Sequence, residues 1–353
     1  MKKFELIESY VSSWIYKLLG YSYCKDVVFI DCMCNNGIYK DLNENLTHGT
    51  PIRVSKIISD AMKKFPDKKA VLYFNDFDNE NIDELRKHLP EDTNNFQIKL
   101  SVGDGNDLLR KLKPELLEKK NLNYLLFYDP FKAAIDWDAL SPYFFGWGEV
   151  ILNHMVSDTE RAVKSATRFE TIKKYEQTYL TAIENLVNLQ GDKNAYNNLI
   201  EKIIKDLQSN SNREYYLVSV PFFIKTNSRI YNIIFFTKNE QGFKLFKKTA
   251  WKIFGGKSSN QNTHGKENQM TLDFEIDSED KQCYYVSDIA DYIFKTFKDR
   301  KNVPFKEIWD LIEKHPIFPC EGYKKEILKD LRLKDCQVHK NSIDFFEVKL
   351  WKK

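Results

Sequence analysis

Residues 27–41 read VVFIDCMCNNGIYKD. Four apolar residues, Val27 to Ile30, run into an acid, Asp31, and then into a short turn ending on Gly37. A continuously apolar strand that stops on an acid and a turn is how a buried parallel strand delivers a side chain to a ligand pocket. Cys32, Cys34, Asn35 and Asn36 stand where a nucleotide-binding loop would carry glycine and alanine.

The same pattern repeats downstream. Apolar segments at 70–74, 96–104, 123–131 and 149–155 predict four more strands, and the first three of these run into Asp76, Asp104 and Asp129. Helical periodicity predicts helices over Phe4–Leu19, stopped by Gly20, over Pro51–Phe65, and over 79–89 with Asn79 as its cap. Strand and helix thus alternate five times, which predicts an α/β, Rossmann-like domain with a parallel sheet covered on both faces. Residues 159–208 read as a helical insertion of two or three charged amphipathic helices, after which two further strands lead to a basic helix at 242–254. The first domain is therefore placed at 1–254. Polar residues at 255–280 read as a linker or mobile loop. Three helices and two final strands at 281–353 read as a C-terminal winged helix.

The bulk numbers narrow the possibilities. With 54 basic and 51 acidic residues the net charge is +3, so no global field argues for nucleic-acid binding. The six cysteines are scattered, and no apolar run approaches the ~20 residues of a membrane helix. A cytoplasmic protein with no membrane partner is expected. Cys24, Cys32 and Cys34 lack metal-ligand spacing and read as core or loop thiols, so no metal is expected.

Acids at successive strand ends suit a cofactor whose ribose hydroxyls and amino groups are donors. In a class I methyltransferase the first acidic loop holds the methionine end of S-adenosylmethionine, the next acid takes the ribose, and the third faces adenine. Asp31, Asn35, Gly37, Asp76 and Asp104 are the expected cofactor-binding residues, with Asp78 a rival to Asp76. Asp129, Pro130 and Phe131 stand where enzymes acting on base amines carry an Asp/Asn-Pro-Pro-aromatic turn. The second proline is absent, and a tight Asp-Pro turn is the plain alternative. Arg161 is expected near the pocket mouth. Lys324, Lys325, Lys329 and Arg332 form a basic helix face suited to DNA, RNA or protein.

Several segments together resemble the three-Cys-motif partner proteins, a bacterial family: YVSSWIYKLL, VFIDCMCNNGIYKD with GTPIR after it, LLFYDPFKAAIDW, VILNHMVSDTERA and RIYNIIFFTKN. The resemblance covers most of residues 1–254. It implies a class I methyltransferase-like fold and association with a radical-SAM-like protein carrying three cysteines. The family loop reads Asp-x-Phe-Ala-Gly-x-Gly; here Asp31 and Gly37 match, while Met33, Cys34 and Asn35 depart. Two functions follow as expectations. One is an S-adenosylmethionine-dependent methyltransferase acting on a nucleic-acid base amine. The other is a non-catalytic, methyltransferase-like adaptor that recruits a partner protein or nucleic acid, in a phage-defence or mobile-element setting.

Overall fold

The structure is a computed structural model and describes residues 2–40, 45–130, 134–165, 168–189, 195–209, 215–223, 229–254, 285–334 and 336–346. The chain divides into two compact units, Met1–Phe223 with Ser228–Phe243, and Ile224–Asn227 with Lys244–Lys353. The expected linker at 255–280 and Phe131 lie outside the described residues.

In chain order the first unit holds α1 (Lys2–Gly20), β1 (Asp26–Asp31), β2 (Ile38–Lys40), β3 (Leu46–His48), α2 (Thr50–Met62), β4 (Lys69–Asp76), α3 (Asn79–Arg86), β5 (Phe96–Val102), α4 (Gly105–Glu118), β6 (Leu122–Tyr128), α5 (Trp137–Leu140), β7 (Gly148–His154), α6 (Val156–Ser165), α7 (Phe169–Tyr179), α8 (Ile183–Asn188), α9 (Ala195–Ser209), β8 (Tyr216–Phe223) and β9 (Arg229–Thr237). Seven strands form one sheet in the order β5-β4-β1-β6-β7-β9-β8. The first five are mutually parallel, and β9 runs antiparallel to both its neighbours. The interiors of β1, β4, β6 and β7 are buried almost without break, as in Val27–Asp31 and Tyr124–Tyr128, while the edge strand β5 is half exposed. That is why the sequence shows apolar runs rather than alternation.

Three local expectations change. Asp78, not Asn79, caps α3, because its carboxylate accepts from the Glu80 N–H at 2.9 Å. The insertion has four helices and begins at Val156, directly after β7. The loop after β1 continues into a small β2–β3 hairpin, too short and too polar to show as an apolar run.

The N-terminal helix α1 is tied to the sheet by a buried polar contact. The Tyr10 hydroxyl donates to Glu149 Oε2 at 2.5 Å, and Thr237 donates to Oε1 at 3.1 Å. Burial pushes the Glu149 pKa up to about 7. The folded protein therefore holds this proton more tightly than the unfolded chain. The contribution is fully present below the ordinary carboxylate range and falls as pH rises through about 7.

The second unit contains helices Val286–Phe297, Phe305–Lys314 and Lys324–Arg332 and a three-stranded antiparallel sheet of Val303–Pro304, Ser342–Phe345 and Cys336–Val338. The first of these strands was not expected; it is two residues long and ends on the proline that precedes the second helix. The three N–H groups of the buried Lys247 ammonium are shared among the carbonyls of Ile312, Glu313, His315 and Phe318, at 2.9–3.1 Å. It thereby meets the orphan carbonyls at the C-terminus of the Phe305–Lys314 helix.

Two outcomes are expected. Glu149→Gln should lessen the fall in melting temperature between about pH 5 and about pH 8, since the amide cannot ionise. Lys247→Met should cost about 3 kcal/mol by stranding buried carbonyls. Hydrogen exchange at the Phe305–Lys314 amides reads that loss locally.

Candidate functional site

Because β1, β4, β5 and β6 are parallel, their following residues emerge at one edge of the sheet. Asp31, Asp76, Asp104 and Asp129 therefore share that edge, though they differ in what they do there.

Asp31 is 1% exposed, and burial, reinforced by the Asp129 charge, raises its pKa well above the carboxylate norm. Asp76 is partly exposed and takes three donors: the Asn35 N–H at 2.9 Å, the Asp78 N–H at 3.0 Å and the Asn81 amide at 2.8 Å. Asp104 is the N-cap of α4, accepting from the Asn106 N–H at 2.7 Å and the Asp107 N–H at 3.3 Å through Oδ1. Asp129 accepts from the Lys3 ammonium at 2.8 Å on Oδ2 and from the Asn153 amide at 2.5 Å on Oδ1.

The loop after β1 keeps the turn that its sequence departs from. Asn35 has φ +57° and Gly37 has φ +72°. Asparagine is the non-glycine that best tolerates this left-handed region. The exposed Asn35 side chain folds back, its Oδ1 accepting from the Asn36 N–H at 2.6 Å. Gly37 meets neighbours closely. An added Cβ would stand 3.0 Å from Leu85 Cδ1 and 3.1 Å from Ile52, so α2 and α3 crowd the loop from behind.

Asn75, which the sequence reading passed over, holds the edge together. Its buried amide nitrogen donates to the Cys32 carbonyl at 3.1 Å and the Gly103 carbonyl at 2.9 Å. Its oxygen accepts from the Ser101 hydroxyl at 2.8 Å, and its own carbonyl accepts from the Cys34 N–H at 2.9 Å. Gly105 completes the clasp, since a Cβ there would lie 2.4 Å from the Cys32 carbonyl oxygen. An asparagine one residue before a strand-end acid is the only sequence signal for this role.

Cys32 and Cys34 are buried, and burial raises both thiol pKa values. They are neutral packing groups. Among the described residues no group of three or more His, Cys, Asp or Glu side chains could hold a metal ion.

A cleft of about 820 Å³ opens at this edge, lined by Met33, Asp104, Asn106 and Pro130 from the strand ends, by Glu170, Lys173, Lys174, Gln177 and Thr178 from α7, and by Leu180 just after it. The insertion thus forms one wall. Thr178 fixes it, accepting from the Ile135 N–H at 3.0 Å through its hydroxyl and from the Trp137 indole at 2.8 Å through its carbonyl. Behind it, buried His154 shares hydrogen bonds with Tyr179 at 2.7 Å and Asn197 at 3.4 Å, and Tyr179 with Thr159 at 2.7 Å. Four acids in the lining (Asp104, Asp136, Asp138, Glu170) outnumber three bases (Arg110, Lys173, Lys174), and Arg110 is already paired with Asp107 and Asp136. A second cleft of about 530 Å³, between Trp14, Trp147, Glu149 and Lys238, lies at the opposite edge of the sheet, away from these acids.

Arg161 is exposed on α6 and is not among the side chains lining the cleft. Lys324, Lys325, Lys329 and Arg332 are exposed on the third helix of the second unit, with the Lys324 ammonium 5.2 Å from the Trp309 ring centroid. No helix among the described residues is long and apolar enough to cross a membrane.

Comparison with known proteins gives no matching family model and no matching curated protein. Solved structures do match. A Legionella pneumophila protein of family DUF519 is 11% identical, with 71% of this chain and 92% of that one covered and a TM-score of 0.41. Human methyltransferase-like protein 13, in complex with S-adenosylhomocysteine, is 9% identical over 70% of this chain and 91% of its own, with a TM-score of 0.34. The methyltransferase domain of a bacterial Hen1 protein is 9% identical over 66% and 98%, with a TM-score of 0.30. At these scores the fold reading rests on strand order and direction rather than on overall superposition.

Asn75→Ala is expected to destabilise the first unit by about 2–4 kcal/mol, because two buried carbonyls and a hydroxyl lose their partner together. Urea unfolding checks it, and exchange should accelerate first at the amides of Cys34 and Gly103.

Proposed function

We propose that this protein binds S-adenosylmethionine at the carboxyl edge of its sheet and acts as a class I-type methyltransferase on an amine. The observation that carries the reading is the delivery of Asp31, Asp76, Asp104 and Asp129 to one edge by four parallel strands. Numbered along the chain, the seven strands run 3-2-1-4-5-7-6 with the seventh antiparallel, the order of a class I methyltransferase sheet.

The residues present fit such a cofactor. Asn35 and Gly37 take the left-handed conformation that a close-approach turn requires, and the Asn35 side chain is folded back along its own turn. Asp76 accepts three hydrogen bonds, and a carboxylate has about four acceptor sites, so one remains for a ribose hydroxyl. Asp104 turns Oδ1 to its helix, which leaves Oδ2 for the adenine amino group. Bound S-adenosylmethionine would supply an electrophilic sulfonium methyl. Asp129 would hold the acceptor amine by a charge-assisted hydrogen bond, orient its lone pair and take up its proton.

The acidic lining favours an amine-bearing acceptor over a phosphate-rich one. Contacts to DNA or RNA phosphates would fall instead to exposed Arg161 and to the Lys324–Arg332 helix, in a unit read as a winged helix. A radical-SAM-like partner rests on the family resemblance alone. A second reading, a non-catalytic adaptor, is favoured by one observation: Lys3 already occupies Asp129.

Calorimetric titration with S-adenosylhomocysteine tests the proposal. A micromolar dissociation constant, on the order of −8 kcal/mol, is expected. Asp76→Ala should weaken it about tenfold, the loss of one ribose hydrogen bond of roughly 1.4 kcal/mol. An absence of heat at millimolar ligand would sink it.

A further inference from the structure

We infer that the acid at Asp129 belongs to a subsite for a primary alkylammonium group, and that Lys3 fills this subsite from within the chain. The inference deepens the proposed function by naming the acceptor class, and its first test does not depend on that function.

The geometry is that of a recognised ligand rather than a surface ion pair. The Lys3 ammonium lies 2.8 Å from Asp129 Oδ2, and the two side chains are only 18% and 21% exposed. By contrast, Lys63–Asp60 is a solvated neighbour pair on one helix, at 71% and 68%. Lys3 and Asp129 are 126 positions apart, and their contact falls at the strand-end edge. Two aromatic rings face the ammonium, Phe4 at 5.7 Å and Tyr231 at 5.6 Å to their centroids, within the range of cation–π attraction.

Asp129 has a second polar neighbour. Asn153 donates to Asp129 Oδ1, while its own Oδ1 is buried and makes no hydrogen bond among the described residues. An ammonium has three N–H donors. A half-buried carboxylate held by the Asn153 amide and two aromatic faces form a receptor for a primary amine on a flexible alkyl stem.

Lys3 is delivered by α1, whose Tyr10, two turns along, is fixed to Glu149. The helix therefore presents its first-turn lysine as a tethered occupant. A substrate amine has to displace it, so α1 gates access to Asp129. The acceptor this predicts is a lysine side chain or a similar alkylamine.

The test uses n-butylammonium chloride, the Lys3 side chain in free form, on the full chain. Lys3→Ala should show a saturable rise in melting temperature with butylammonium that butanol does not reproduce. In Lys3→Ala with Asp129→Asn the rise should vanish. Half-saturation in Lys3→Ala should come at a lower butylammonium concentration than in the wild type, by the factor 1 + C/Kd, where C is the roughly millimolar effective concentration of the tethered amine. Equal responses of wild type and Lys3→Ala, or a response that survives Asp129→Asn, would overturn the inference.

If Lys3→Ala does not fold, acetylation of Lys3 in the wild type, followed by mass spectrometry, replaces it. Labelling should accelerate several-fold as butylammonium releases the side chain, and an unchanged rate overturns the inference. S-adenosylhomocysteine binding is measured alongside. An intact butylammonium response without S-adenosylhomocysteine binding sinks the methyltransferase reading and leaves the subsite. The reverse pattern sinks the subsite alone.

Discussion

The carboxyl edge of the sheet depends on the Asn75 side chain. One buried amide bonds to Cys32 in the loop after β1, to Gly103 in the turn after β5 and to Ser101 within β5. Any other small polar side chain would satisfy fewer of these groups, and an apolar one would leave them unpaired in a dry site. Everything proposed for the edge presupposes this clasp. It brings the turn after β1 close enough for the Asn35 N–H to reach Asp76, and it seats Gly105 against the Cys32 carbonyl. The clasp itself is made by neutral amide, hydroxyl and backbone groups, so it occupies none of the acids.

That division is uneven. Asp78 and Asp104 are helix caps, the ordinary use of an aspartate after a strand. Asp31 is buried and held away from its usual ionisation. Among the described residues Asp129 is the strand-end acid that forms an ion pair, and its cation comes from the N-terminal helix. The coupling of α1 to the sheet through Tyr10 and Glu149 thus has a consequence at the other end of the helix. A helix anchored near the amino ends of the strands places its first turn at their carboxyl ends.

The insertion joins the site for a related reason. His154 closes β7 with a buried ring nitrogen that needs a partner, and α7 supplies the Tyr179 hydroxyl. Satisfying that group draws α7 over the strand ends, and Glu170, Lys173 and Lys174 become one wall of the cleft. A segment that reads as a charged surface appendage is therefore part of the pocket.

The sequence by itself determined the alternation of strands and helices, the parallel sheet and the identity of the strand-end acids. These depend on burial of contiguous apolar runs and on local turn chemistry, which a chain displays residue by residue. It also carried the left-handed preference of Asn35, because that preference is intrinsic to the residue. Only the tertiary structure decided which acid caps a helix, which faces a cation and which is desolvated. Asp76 and Asp78 look alike in FNDFDNEN until the ladder to β5 ends the strand at Asp76. Lys3 and Asp129, or Asn75 and its three partners, are tens of residues apart, and nothing in the local pattern pairs them. A hydrogen bond depends on position to within a fraction of an ångström, and that precision exists only once the core has packed.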